Sequence, residues 1–293
     1  MGKQYKKDYD RKILNESHTV IGNNKEMKYL ELEDIKKVAL DILKRVTKIC
    51  DDNGFRYVLA YGTLIGAIRH QGFIPWDDDI DIQMPRPDYE KFLKFMDAHE
   101  TELGNLRVFT RKNTKNYFYG IARVCNTDYE IHTHNEKDCG MGLFIDVYPF
   151  DGLGSSYSKA FEFIRKMSII NDKLVAASLI SVEYNRHLKY DLELLLTRIL
   201  GKKHYFNKVD KIVAKCNFNE SNYLGLAGWC GMPLIYNKNL FEDRIKVKFE
   251  DTEFYAPKEY DYILRMTYGD YMKLPPKSEQ VPHHGYVAYK KTR

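Results

Sequence analysis

The 293-residue chain predicts a mixed α/β protein of the α+β type, a mixed sheet flanked by helices and carrying a helical insertion. Three patterns carry this prediction. Apolar residues recur at helical spacing from Leu32 to Ile49, short β-like runs follow between Leu106 and Tyr148, and a helical stretch of apolar and basic residues runs from Tyr157 to Lys203. No internal repeat and no low-complexity linker divides the chain, so one compact unit is expected.

Composition narrows the class further. Apolar residues make up 44% and charged residues 30%, an ordinary globular balance in a chain long enough for a sizeable core. The net charge of +5 is too weak to specify nucleic acid, but it suits an anionic substrate or a membrane surface. Tyrosine is abundant, at 23 residues. Cys50, Cys125, Cys139, Cys216 and Cys230 are odd in number and form no CxxC. They fit neither a zinc site nor a disulfide framework, and reduced, mostly buried thiols in a cytoplasmic protein are expected. The opening MGKQYKKDYDRK is charged and lacks the apolar segment of a signal peptide, and Lys6 breaks the myristoylation pattern. The best apolar run, Leu174–Ile180, is far too short to cross a bilayer.

In chain order, residues 1–28 are polar and aperiodic and are expected to form an arm. A core is expected over 29–155. It opens with the helix from Leu32, stopped by Gly54, and a short strand, Tyr57–Ala60. Gly62-Thr63 then makes a turn into a brief helix, Leu64–Arg69. After Pro85-Arg86-Pro87 comes a helix from Asp88 to about His99. Strands are expected at Leu106–Thr110, Tyr117–Val124, Tyr129–Thr133 and Leu143–Tyr148. Residues 156–217 form a helical subdomain, whose apolar and basic residues fit packing on the sheet better than contact with anionic lipid. Residues 218–293 complete the core with a hairpin ending at Pro257, a helix Tyr260–Tyr268 stopped at Gly269, and a tail with Pro275-Pro276 and His283-His284.

The chemistry concentrates between Tyr61 and Met84. Asp77, Asp78, Asp79 and Asp81 are followed by strand alternation that sends Asp79 and Asp81 to one face and Ile80 and Ile82 to the other. Two carboxylates on one strand face can grip a hard divalent cation, Mg²⁺ or Mn²⁺. A solvated acidic loop is the plainer alternative. Asp146 is a lone carboxylate in the apolar run Phe144–Val147. Burial without a partner is costly, so it is expected to face the same cavity as Asp79 and Asp81, the alternative being a strand-end Asp bonded to nearby backbone. The helix start after Gly62-Thr63 offers free N–H groups to an anion. By itself it fits a capped turn, and beside the acidic strand it fits a phosphate site.

Four motifs carry a resemblance: YGTLIGAIRH from Tyr61, IPWDDDIDI from Ile74, FIDVYPFDG from Phe144 and YGDYMKLPP from Tyr268. Together, within residues 57–284, they resemble the LicD family. That resemblance implies a nucleotidyltransferase-like fold, distantly similar to fukutin-type phosphoribitol transferases. It also implies transfer of phosphocholine from CDP-choline, or another phosphoalcohol from its CDP-alcohol, to a lipid-linked glycan of teichoic acid or lipopolysaccharide type. CMP would be released at the inner membrane face, with peripheral membrane contact and no nucleic acid partner. In the family pattern, Gly62-Thr63 takes the phosphates, Asp79 and Asp81 hold metal, and Asp146 is the third acid. Asp77 matches a further acid of the fukutin-like relatives.

Arg69 and Arg123 are candidates for a cationic clamp on phosphate, with Arg123 equally suited to pairing with a structural acid. Asp146 would orient a metal or take the acceptor hydroxyl's proton. Trp76, Tyr117, Phe118 and Tyr119 are candidates to face a choline headgroup, although each also fits core packing. His70 and His283-His284 fit surface histidines better than ligands. Rival readings are a glycosyltransferase whose DxD holds a nucleotide sugar, and a glycan- or lipid-binding module.

Overall fold

The computed structural model describes residues 29–133, 135–182, 188–228, 234–282 and 285–291. The expected arm over 1–28, Cys230 and His283-His284 lie outside the described residues.

Strand β6 (Leu143–Gly152) is the spine, buried along all ten residues. β2 (Asp81–Pro85) pairs with it in parallel, and β4 (Ala122–Asn126) pairs on its other side antiparallel. β1 (Val58–Leu59) and β3 (Leu106–Phe109) extend the sheet to the order β1-β2-β6-β4-β3. The far end of β6 recruits β7 (Tyr223–Gly225), which pairs with β8 (Ile235–Asn237). Strands covered on both faces read as continuous apolar runs rather than alternations. That is why Phe144–Phe150 is so apolar, and why the one carboxylate within it, Asp146, stands out.

Helix α1 (Leu32–Asn53) lays Ala39, Ile42, Leu43, Val46 and Cys50 against β4 and β6. Gly54 ends it at φ 68°, a left-handed conformation that costs glycine nothing. α2 (Tyr61–His70) and α3 (Arg86–Ala98) flank β2. The hairpin of β9 (Arg244–Phe249) and β10 (Thr252–Pro257) covers α2 and β1, and α6 (Tyr260–Tyr268) follows it. α4 (Tyr157–Ser178) and α5 (Leu188–Val213) pack on each other, with α5 broken at Gly201, φ 72°.

Several boundaries differ from expectation for local reasons. α3 starts at Arg86, because Pro87 fits the first helical turn rather than stopping it. Tyr117–Tyr119 lie before β4 rather than in it, since the Tyr117 hydroxyl folds back to donate to the Ile121 carbonyl. β7 and β8 are too short to show periodicity. β11 (Tyr286–Lys290), hidden in the tail, pairs with β5 (Tyr129–Thr133). Cys50 and Cys125 are buried thiols, while Cys139 and Cys216 are half-buried.

An ion pair fastens the far end of β6. Asp151, 0% exposed, accepts from Arg86 Nε at 2.7 Å and from the Ala227 N–H at 3.0 Å. Removing one partner of a buried pair leaves an uncompensated charge. Arg86→Ala should therefore lose about 3–5 kcal/mol of stability in urea denaturation. A loss below about 1 kcal/mol, the range of a surface ion pair, would count against this role.

Candidate active site

Asp81 and Asp146 are register partners on the parallel strands β2 and β6. Neighbouring strands lie about 4.8 Å apart, so the two carboxylates leave the same sheet face side by side. Both are buried. The start of β2 is held by three bonds. The Thr63 hydroxyl accepts from the Asp81 N–H at 2.8 Å, the Asp81 carbonyl accepts from the Ala60 N–H at 3.0 Å, and the Ile80 carbonyl accepts from the Asp146 N–H at 2.8 Å. Thr63, 3% exposed, thus splices α2 to the acidic strand.

α2 begins at Tyr61, so Gly62-Thr63 is its first turn rather than a turn preceding it. Tyr61 sits at φ 46°, a strained conformation for a bulky residue. The loop after α2 runs back along the helix and brings Asp77 to its start. A Cβ on Gly62 would stand 2.6 Å from Asp77 Oδ2. Glycine there lets a carboxylate rest against the positively polarised helix end. Asp78 is buried and Asp79 half-buried beside them.

Arg123, on β4, pairs with Asp146, Nε to Oδ1 at 2.8 Å, with both side chains buried. Its guanidinium is sandwiched between the rings of Tyr119 (3.9 Å) and Phe144 (4.0 Å). Of the two roles open from sequence, the structure thus gives Arg123 an acid partner, and that acid belongs to the site.

Tyrosines enclose the acids. The Tyr148 hydroxyl donates to Asp146 Oδ2 at 3.4 Å, Tyr61 packs edge-on against Tyr148 at 5.1 Å, and Gln83 Nε2 donates to the Tyr61 hydroxyl at 2.9 Å. Burial, then the charges of Asp81, Asp146 and Asp79, pushes the Tyr148 pKa well above its usual value. Burial raises Tyr286 likewise, reinforced by Asp78, Asp79 and Asp146. Sequence reasoning missed these residues, although strand spacing held a signal. Tyr148 is two residues after Asp146 and Gln83 two after Asp81, hence on the same faces.

Other candidates stand elsewhere. Arg69 lies seven residues beyond Gly62, about 10 Å along the helix. It is bonded to His70 Nε2 and the Tyr271 carbonyl, away from the acids. Desolvation, then the Arg69 charge, lowers the His70 pKa. Trp76 packs edge-on to His70 at 6.5 Å and against the core. Tyr117 is a core residue, whereas Phe118 and Tyr119 stack on each other beside a cavity.

The donor set is carboxylate oxygen throughout, which suits a hard cation such as Mg²⁺. Among the described residues, no three His, Cys, Asp or Glu side chains form a ready-made metal cluster. Mg²⁺ commonly takes one or two carboxylates and completes its shell with water and substrate phosphate, so Asp81 with a neighbouring acid fits that mode.

The mixed α/β sheet thus brings Asp81 at the start of one strand and Asp146 in register on the next to one face, close to the start of a helix that Gly62 opens. Residues 54–181 match the family described as LicD/FKTN/FKRP, nucleotidyltransferase domain. The lipopolysaccharide cholinephosphotransferase LicD of Haemophilus influenzae is 32% identical over 279 residues, 90% of this chain and 99% of that protein. An uncharacterized Rickettsia typhi protein is 32% identical over 127 residues, 43% of this chain and 38% of its own. One from Rickettsia prowazekii is 34% identical over 130 residues, 43% of this chain and 46% of its own. The chain belongs to the LicD family.

The enclosed tyrosines set an alkaline limit. The folded state holds these phenolic protons more tightly than the unfolded chain, whose tyrosines titrate near pH ~10. Their stabilisation is complete below that pH and is lost as pH rises towards the folded-state values. Exposed tyrosines such as Tyr157 and Tyr190 should ionise first, and a late share of the tyrosinate absorbance should appear only together with loss of tertiary structure. Early, reversible ionisation of all tyrosines without unfolding would contradict the enclosure.

Proposed function

We propose that this transferase moves phosphocholine from CDP-choline to a hydroxyl of a lipid-linked cell-surface glycan, releasing CMP. The relative's cholinephosphotransferase activity supports the reaction class. The observation that carries the reading is the register pairing of Asp81 with Asp146 beside Gly62. The acceptor oxygen attacks the phosphocholine phosphorus, a P–O bond forms, the bond to CMP breaks, and the hydroxyl proton passes to a carboxylate. Asp81 with one neighbouring acid, Asp79 or Asp146, would hold Mg²⁺ or Mn²⁺, water and substrate oxygens would complete its shell, and Asp77 would be a further candidate beside it. Bound there, the metal supplies neutralisation of the diphosphate charge and of the leaving nucleotide. Arg123 keeps Asp146 oriented, which favours ligation over proton abstraction for that acid. Gly62 leaves room at the helix start for the Asp77 carboxylate, and the first-turn N–H groups would meet phosphate oxygens beside it.

The acceptor's lipid anchor suits a surface of the helical subdomain. On α5, Glu193 pairs with Lys173, and Arg198 bonds the carbonyls of Ala176, Leu179 and Ile180 at the end of α4. Leu188, Leu192, Leu195, Leu196 and Ile199, spaced as one helical stripe, face outward, with Leu188 86% and Ile199 70% exposed. Lys189, Lys202 and Lys203 flank them. An apolar stripe with basic flanks suits an anionic bilayer surface. No helix among the described residues is long and apolar enough to cross a membrane.

Asp79→Asn and Asp81→Asn should each reduce CMP release from CDP-choline at least ~10²-fold with an unchanged circular dichroism spectrum. Chelation should abolish turnover, and added Mg²⁺ should restore it. Near-normal turnover in either variant would remove that acid from the reaction. Replacing Leu195 and Ile199 with Asp should release the protein from anionic vesicles in co-sedimentation. Undiminished sedimentation would mean that another surface makes the contact.

A further inference from the structure

Three lysines meet where α5 breaks. The chain leaves the helical conformation at Gly201, φ 72°, directly after the exposed Leu200, and Lys202 reaches the neighbouring loops. Its Nζ lies 3.5 Å from Asn116 Oδ1, and Asn116 Nδ2 donates to the Asp138 carbonyl at 2.9 Å. Asn116 therefore joins three segments, and the residues beside the joints are Lys115 and Lys137, both exposed. Partial burial, then the Lys137 charge, lowers the Lys202 pKa, and Lys115 lowers it further against an opposing contribution from Cys139.

The acids of the same loop are engaged elsewhere. Asp138 Oδ1 accepts from the Gly140 N–H at 2.8 Å, and Glu136 Oε1 accepts from the Tyr119 hydroxyl at 2.6 Å. Like charges held together disfavour one another, and an anion between them removes that cost. A carboxylate brings one charge. A phosphate monoester brings about −1.5 to −2 and three acceptor oxygens, which ammonium groups from three segments can meet together.

The cluster also borders the apolar stripe of α5. Arg198 Nη2 donates to the Ile180 carbonyl at 3.1 Å, and the Ile180 N–H donates to the Asn135 carbonyl at 3.0 Å. Asn135 Nδ2 in turn donates to the Ser181 carbonyl at 2.9 Å. The loop that carries Lys137 is thus tied to the end of α4, where Ile180 is exposed, and α5 brings the exposed Ile199 and Leu200 up to Lys202. Positive charge at one end and aliphatic surface at the other match an anionic amphiphile.

We propose that Lys115, Lys137 and Lys202 form a phosphate site for the headgroup of an anionic lipid whose chains meet the α5 stripe. The assignment rests on the membrane reading of that stripe, and it replaces diffuse attraction with recognition of a defined group.

The test compares the full chain with Lys115→Gln, Lys137→Gln and Lys189→Gln, with folding checked by circular dichroism. Lys189 stands at the other end of the stripe. Vesicles carry phosphatidic acid or phosphatidylglycerol in amounts matched for surface charge, and inorganic diphosphate is titrated by calorimetry. The wild type should prefer the phosphatidic acid vesicles. Lys115→Gln and Lys137→Gln should each weaken that binding about fivefold and remove the preference. Lys189→Gln should keep the preference. Equal binding of both vesicles by the wild type, or a preference intact in both cluster variants, would leave only diffuse attraction and overturn the site. Vesicle binding without preference, joined to diphosphate binding that Lys137→Gln removes, would assign the cluster to a soluble phosphate and overturn the headgroup. If the wild type binds no vesicles, the membrane reading of α5 fails, and calorimetry alone decides the cluster. Diphosphate binding lost in Lys137→Gln then supports a phosphate site, and no binding by the wild type refutes it.

Discussion

The parallel pairing of β2 with β6 is the constraint on which the rest depends. It sets Asp81 opposite Asp146 and fixes which face both acids share. A slip of one residue in that register would turn the β2 acid to the other face of the sheet and an isoleucine toward the site. Parallel strands cannot be joined by a tight turn, so α3 and the β3–β4 pair occupy the crossover between them. The Thr63 hydroxyl closes the exposed end of the pairing where β1 has stopped. One hydrogen bond therefore ties the start of α2 to the first acid and sets the distance between the helix end and the carboxylates.

Around this pairing, charge is managed in layers. Asp146 is met by Arg123, Arg123 is covered by two aromatic rings, and one of those rings leads on to Glu136. Asp77 rests against the start of α2 through the gap that Gly62 leaves. Tyrosines contribute neutral donors that burial keeps protonated, so the acids gain hydrogen-bonding neighbours without gaining more negative charge.

The helical subdomain shows the opposite arrangement. α5 carries a stripe of exposed leucines and Ile199, which a self-contained globular helix avoids. The family to which the chain belongs includes a lipopolysaccharide cholinephosphotransferase.

Much was legible in the order of residues. Long periodic elements such as α1, α6 and the β9–β10 hairpin could be read from 3.6- and 2-residue spacing and from the glycines that stop them, because those signals are local. The alternation placed Asp81 in a strand and Asp146 in the next, but β2 begins at Asp81, so Asp79 lies just ahead of the strand rather than on its face. What the sequence by itself left open was every pairing across long separation. The bond from Arg123 to Asp146, the retreat of Arg69 to Tyr271, the strands β7, β8 and β11, and the outward face of α5 are decided by contacts between segments far apart in the chain. Spacing along a chain fixes which side chains share a face, but only the packing of one element on another fixes what that face meets.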